Sequence, residues 1–225
     1  MLPYTLLDSS TEHGTTLRLY QRGEEFSIRV DQQQSELMNS RLHNSEDVLA
    51  ELACARIAGR ESPHLLVGGL GMGFTLRAAL SHAPAAARVT VAELMPAVVR
   101  WNREYLGKLA GFPLDDARVG VLEQDVGKVM LRHKNGFDAI MLDVDNGPDG
   151  FTREGNDALY GYHGLNLAYD ALRPGGVLTV WSCAPDPAFT QRMLKVGFEV
   201  EEQRVHARTG KRGDRHNIWI GVRWP

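Results

Sequence analysis

Little in this chain of 225 residues could be cross-linked, because it holds two cysteines, Cys54 and Cys183, and no Cys-x-x-Cys pair. That excludes a disulfide scaffold and fits a reducing cytoplasm. Long apolar runs are lacking too. No stretch approaches the roughly 20 apolar residues of a membrane helix, and the opening segment has no basic flank, so neither a signal peptide nor a membrane partner is expected. There is no basic block: 25 Lys and Arg stand against 28 Asp and Glu, a net charge of −3. That disfavours nucleic acid as an obligate partner. His43, His163 and His216 fall in separate segments without metal-ligand spacing, so no metal is expected. Ser182-Cys183 has no nucleophile-elbow pattern around it, which argues against acyl transfer. Internal repeats and low-complexity tracts are absent.

What is there is an ordinary globular mixture, 43% hydrophobic and 24% charged. The length suits one α/β domain with a small appendage. Residues 17–20 and 26–30 alternate in part and flank Gly23, a hairpin pattern. A polar stretch runs to Asn44. Ser45 or Asn44 then stands as an N-cap before Val48, Leu49, Leu52, Ala53 and Ile57, which recur at helical spacing up to Gly59. From Pro63 onward strands and helices alternate. Strands are expected at 64–67, 88–93, 118–123, 137–143 and 177–181, and helices at 74–82, from Pro96 to 106, after Asp125, at 165–172 and at 187–196. Two last strands, 198–207 and 217–222, enclose a polar loop and read as an antiparallel pair. The alternation predicts a mostly parallel sheet covered on both faces, seven strands in all, with its site at the carboxyl ends of the strands. We divide the chain into a small N-terminal β segment, 1–44, and a Rossmann-like domain, 45–225.

Four places on that edge carry chemistry. Gly68-Gly-Leu-Gly-Met-Gly73 follows a strand and opens a helix, where glycines let the backbone turn and approach a ligand. Such a loop alone is a weak signal; a tight turn without ligand has the same look. Glu93 strengthens it, ending the second strand about 20 residues on, where an acid can bind ribose hydroxyls. Asp125 follows the third strand at a helix start, either as a helix cap or as an acceptor for an adenine amino group. Asp143-Val-Asp-Asn-Gly-Pro148 closes the fourth strand. Asp143 leaves the strand at the crevice and can take a proton from an amine or steady it beside a sulfonium. Asp145 is as readily part of a turn-forming cluster. Trp181 and Tyr162 read as pocket wall or core rather than catalysts. Arg208, Lys211, Arg212 and Arg215 read as a solvated loop.

From about Leu17 to Val222 the order of these motifs resembles the spermidine synthases, the polyamine aminopropyltransferases. The resemblance rests on the glycine loop, on Val91-Ala-Glu93, on Glu123-Gln-Asp125 and on Leu142-Asp-Val-Asp-Asn-Gly-Pro148. It implies a class I methyltransferase-like fold behind a small β domain. Gly68, Gly69, Gly71, Gly73, Glu93, Leu94, Asp125 and Asp143 are then cofactor contacts, with Asp143 catalytic. Gln34, Glu46, Asp145, Tyr162 and Trp181 are then substrate contacts, and Glu46 and Glu51 fall where the family has Asp-Glu-x-x-Tyr-x-Glu. The implied activity is transfer of an aminopropyl group from decarboxylated S-adenosylmethionine to a small amine; a homodimer is also implied. Three departures point elsewhere. Gly71 stands where the family loop carries an aspartate that pairs with the aminopropyl amine and repels a donor still bearing its carboxylate. Leu49 replaces a tyrosine and Ser45 an acid on the polyamine side. These changes admit intact S-adenosylmethionine and a methyltransferase working on an amine or another small nucleophile. A non-catalytic nucleoside-binding domain is the third reading.

Overall fold

The computed structural model describes residues 2–31, 35–144, 158–208 and 214–224. The N-terminal part is a four-stranded antiparallel sheet in sequence order, β1 (Thr5–Glu12), β2 (Thr15–Arg22), β3 (Glu25–Val30) and β4 (Ser35–Asn39). The expected hairpin is its centre, with Tyr20 paired to Ser27 and Leu19 to Ile28. The two outer strands were not read from the sequence. Thr5–Glu12 is mostly polar and half-exposed along its length, so it lacks the apolar alternation that marks a strand.

A seven-stranded sheet follows. Its strands are β5 (His64–Gly68), β6 (Arg88–Ala92), β7 (Val119–Leu122), β8 (Phe137–Leu142), β9 (Leu172–Ser182), β10 (Phe198–His206) and β11 (Arg215–Arg223), in the order β10-β11-β9-β8-β5-β6-β7. All neighbouring strands from β7 to β9 are parallel, and β11 runs antiparallel to both β9 and β10. β5 and β8 are buried at every position. Helices on both faces make such central strands continuous apolar runs. From β5 the chain winds outward to β6 and β7, then returns to β8 on the other side. The crevice between β5 and β8 is therefore the switch point where such sheets bind ligands.

Helices α1 (Asn44–Arg56), α2 (Phe74–His82) and α3 (Pro96–Trp101) bury one side of the sheet. Helices α4 (Val126–Leu131), α5 (Tyr162–Ala171) and α6 (Pro187–Val196) bury the other. Leu17, Leu19, Phe26 and Ile28 of the N-terminal sheet belong to the same apolar cluster as Leu49, Leu70, Met72 and Trp101. Leu49 is thus core, fully buried, rather than a residue facing a substrate. Beyond Trp101 the expected α-helix departs from regular geometry. Asn102–Leu106 winds as a π-helix and Gly107–Ala110 as a 3₁₀ turn. No helix among the described residues is long and apolar enough to cross a membrane.

Candidate active site

The glycine loop leaves β5 and lies against the end of β8. The Asp143 backbone N–H donates to the Gly68 carbonyl at 2.8 Å, and Gly69 N–H donates to the Ala92 carbonyl at 2.9 Å. Gly69 has φ +87°, and a Cβ there would sit 2.2 Å from the Asp143 carbonyl oxygen. Only glycine permits this approach. Gly71 is also left-handed, at φ +52°, but its missing Cβ would meet only the Met38 thioether, at 3.4 Å. Met38 comes from β4, so the N-terminal sheet covers the loop at the position where the resembling family carries an acid. Gly73 ends the loop and begins α2.

Glu93 holds this loop as well as presenting a carboxylate. Its Oε2 accepts from the Leu70 N–H and its Oε1 from the Met95 N–H, both at 2.8 Å. It is 8% exposed. Leu94 beside it is half-buried. Asp125 caps α4 through Oδ1, which accepts from the Lys128 N–H at 3.0 Å. The capping role is therefore real, and its second oxygen is not part of that bond. Asn102, missed in the sequence, reaches the loop from the π segment. Its Nδ2 donates to the Gly71 carbonyl at 2.8 Å and to the Val98 carbonyl at 2.9 Å.

Beside Gly71 opens a cavity of about 220 Å³. Leu37, Leu42, Leu70, Met72 and Phe74 form its apolar wall, and Trp181 and His216 close one side. Three carboxyls line it: Glu36, Glu46 and Asp143. No lysine or arginine is among its described lining residues. Asp143 Oδ2 accepts from the buried Thr75 Oγ1 at 2.7 Å. Burial pushes the Asp143 carboxyl up to about 6, against the lowering effect of that bond. Burial, then the charge of Asp143, push Glu46 up to about 8, while the Ser45 hydroxyl acts in the opposite sense. The two acids titrate as a pair, so near neutrality they share about one proton.

Of the residues singled out in the sequence, Gly71, Asp143, Glu46 and Trp181 meet at this cavity. Glu93, Leu94 and Asp125 lie along the neighbouring ends of β6 and β7. Tyr162 does not join them; it opens α5, is 47% exposed and is absent from the cavity wall. Glu51 is exposed and faces a separate shallow groove with Gln203 and Arg208. Gln34 and Asp145 fall outside the described residues. Glu36, Met38 and His216 were not anticipated. Each lies far along the chain from the motifs, and only strand alternation on β4 and β11 could have placed them on an inner face. Among the described residues, no group of three His, Cys, Asp or Glu side chains could hold a metal ion.

Residues 47–196 match the spermine/spermidine synthase domain. Polyamine aminopropyltransferase 2 of Pseudomonas aeruginosa is 34% identical over 130 residues, 56% of this chain and 35% of that protein. The polyamine aminopropyltransferase of a Thermoanaerobacter species is 42% identical over 79 residues, 35% of this chain and 27% of that protein. The chain thus aligns with only about a third of the length of these curated relatives. Among solved structures, spermidine synthase from Thermotoga maritima superposes with a TM-score of 0.77 at 18% identity, covering 96% of this chain and 72% of that one. A spermidine synthase in complex with the transition state analogue AdoDATO gives 0.76 with the same coverage. These likenesses show a Rossmann-like fold behind an antiparallel N-terminal sheet, and the domain match shows the family: the chain belongs to the spermine/spermidine synthases.

Proposed function

We propose that this chain is a transferase that moves an aminopropyl group from decarboxylated S-adenosylmethionine to a small amine. The observation that carries the reading is the acidic cavity beside the glycine loop. Glu36, Glu46 and Asp143 face a common space walled by apolar side chains, which suits a cationic acceptor with a short hydrocarbon body. The loop geometry fits a nucleoside donor next to it. Gly69 brings bare backbone to the crevice, and Glu93 is oriented by two backbone N–H groups to receive ribose hydroxyls. Asp125 is assigned to the adenine.

The sulfonium supplies an electrophilic carbon with a neutral thioether as leaving group. The chain's residues do the rest. An amine attacks only as the free base, so the site must bind an ammonium and remove a proton. Asp143, held by Thr75 and raised by burial, is suited to that transfer near neutral pH. Trp181 and Phe74 narrow the space in which the amine can approach, and positioning of this kind supplies much of the rate.

One observation favours a second reading. Gly71 and Met38 put an apolar contact where an acid would pair with the aminopropyl amine. Gly71 itself carries no charge to repel a donor that keeps its carboxylate, which suits methyl transfer from intact S-adenosylmethionine. Calorimetric titration with both donors and methylthioadenosine, followed by mass analysis of products from a panel of amines, separates the two. Preference for the decarboxylated donor and an added aminopropyl mass support the first reading. Equal or tighter binding of the intact donor and an added methyl mass establish the second. Tight nucleoside binding without any product would leave a non-catalytic domain.

A further inference from the structure

Along one side of the cavity a row of side chains, Glu46, Ser45 and His216, links α1 to β11. Ser45 is fully buried. Its Oγ lies 2.6 Å from Glu46 Oε2 and 2.8 Å from His216 Nδ1. The partners are far apart in sequence, yet the contact is clamped on both sides. Asn44 donates from its backbone N–H to the Ala207 carbonyl at 3.2 Å and from Nδ2 to the His206 carbonyl at 2.7 Å, fixing the start of α1 on the end of β10. The Trp181 ring meets the His216 ring edge-on at 4.7 Å between centroids.

We propose that Glu46, Ser45 and His216 form a proton relay that carries the acceptor's proton away from the Asp143–Glu46 pair, with Ser45 and His216 as positioning residues acting through Glu46. The proposal deepens the function proposed above and rests on it. Attack by the amine forms one N–C bond and breaks one C–S bond, whose electron pair goes to sulfur. An acceptor that enters as an ammonium therefore releases one proton per turnover, and the Asp143–Glu46 pair receives it. That proton has to leave before the next acceptor arrives.

The hydroxyl of Ser45 has one hydrogen and two lone pairs, so it can serve both states of Glu46. With Glu46 ionised, Oγ–H donates to Oε2 and accepts from Nδ1–H of His216. With Glu46 protonated, Oε2–H donates to Oγ, Oγ–H donates to the bare Nδ1, and Nε2 carries the ring hydrogen. The heavy atoms need not move between these states. Passage of the proton is a shift of hydrogens along two existing bonds, followed by loss of a proton from the half-buried ring to water. Burial holds His216 below its usual value, so the ring passes a proton on rather than storing it, while Asp214 acts in the opposite direction. Among the described residues, the other ionisable groups facing this row are Glu36, Asp143 and Cys183 across the cavity, and Asp47 beside Glu46, which is paired with Arg77 and His43.

Nitrogen-15 NMR of histidine-labelled protein over a pH series tests the relay without needing turnover. The neutral ring of His216 should change tautomer as Glu46 titrates, followed by carbon-13 at its carboxyl. Ser45→Ala should uncouple the two, and Glu46→Gln should fix one tautomer. A tautomer that stays constant while Glu46 titrates, or that responds equally in Ser45→Ala, overturns the relay. Turnover gives a second readout. His216→Asn keeps a polar partner for Ser45 but cannot exchange the proton, so kcat should fall about 100-fold, with imidazole restoring part of it and KM little changed. An unaltered kcat and pH profile in His216→Asn would also overturn it. Absence of turnover in the unsubstituted protein would overturn the proposed function, a result distinct from the NMR outcome.

Discussion

At the scale of single residues, the pair Glu46 and Asp143 decides how the site responds to pH. Both carboxyls bind their proton more tightly in the folded chain than in the unfolded one. Between the ordinary values, 4.5 and 3.8, and the raised ones, about 8 and about 6, the folded state therefore holds more protons. Stability contributed by the pair is complete below the ordinary values and is lost as pH rises through the raised ones. The expected loss between pH 5 and pH 9 is about 2 kcal/mol, because the cavity is partly open and solvent screens both carboxyls. Urea unfolding of the parent and of Glu46→Gln at both pH values isolates it, because acids elsewhere cancel in the difference. The substituted protein should lose distinctly less stability over that interval, and equal losses in both would remove the pair as the cause. Asp143 and Gly69 were legible in the sequence because each stands inside a short motif at a strand end. Ser45 and His216 were not, since their contact spans most of the chain and depends on how β11 folds back beside β9.

At the scale of elements, α3 and its π segment do more than cover the sheet. The extra winding places Asn102 so that one amide reaches the carbonyls of Val98 and Gly71 together. Irregular turns of this kind occur where a side chain must be re-aimed. Asn102 is buried and Gly71 half-buried, so removal of the amide leaves the Val98 carbonyl short of a donor in the core and the Gly71 carbonyl short of one at the cavity edge. Asn102→Ala should cost about 1–3 kcal/mol in stability. It should also weaken methylthioadenosine binding about tenfold, or ~1.4 kcal/mol, because the loop loses its tether. Calorimetry against the parent checks this, and unchanged affinity with lowered stability would make Asn102 a packing residue only. The alternation of strands and helices made the large sheet legible, since β5, β6 and β8 are apolar runs closed by glycine or acid. The helix expected from Pro96 to 106 is α-helical as far as Trp101 and winds as π from Asn102 to Leu106, a difference that helical spacing in the sequence does not reveal. The strands β1 and β4 escaped because their residues are largely polar and take their pattern from neighbouring strands.

At the scale of the whole molecule, the two ends of the parallel sheet have different work. The carboxyl ends carry the glycine loop, Glu93 and Asp143. The opposite ends carry an ionic knot around one buried carboxyl, and it touches none of them. Asp138, 2% exposed on β8, accepts from Arg60, from Arg173 Nη1 at 2.6 Å and from the His64 N–H at 2.7 Å. His64 in turn meets Thr90 Oγ1 at 2.8 Å, so the knot ties β5, β6, β8 and the start of β9 together. Asp138→Ala leaves the buried His64 N–H without its acceptor, while the two arginines it releases are partly exposed and can be solvated, so the loss should be about 1–3 kcal/mol. The folded fraction that remains should still bind methylthioadenosine with the parent's affinity, because strand register at the far end is set by continuous pairing along β5 and β8. Thermal unfolding should therefore shift downward, while calorimetry well below the new midpoint returns an unchanged Kd. A parallel fall in affinity would mean that the crevice is built by the whole length of the sheet. The separation of a stabilising pole from a reactive one would then not hold.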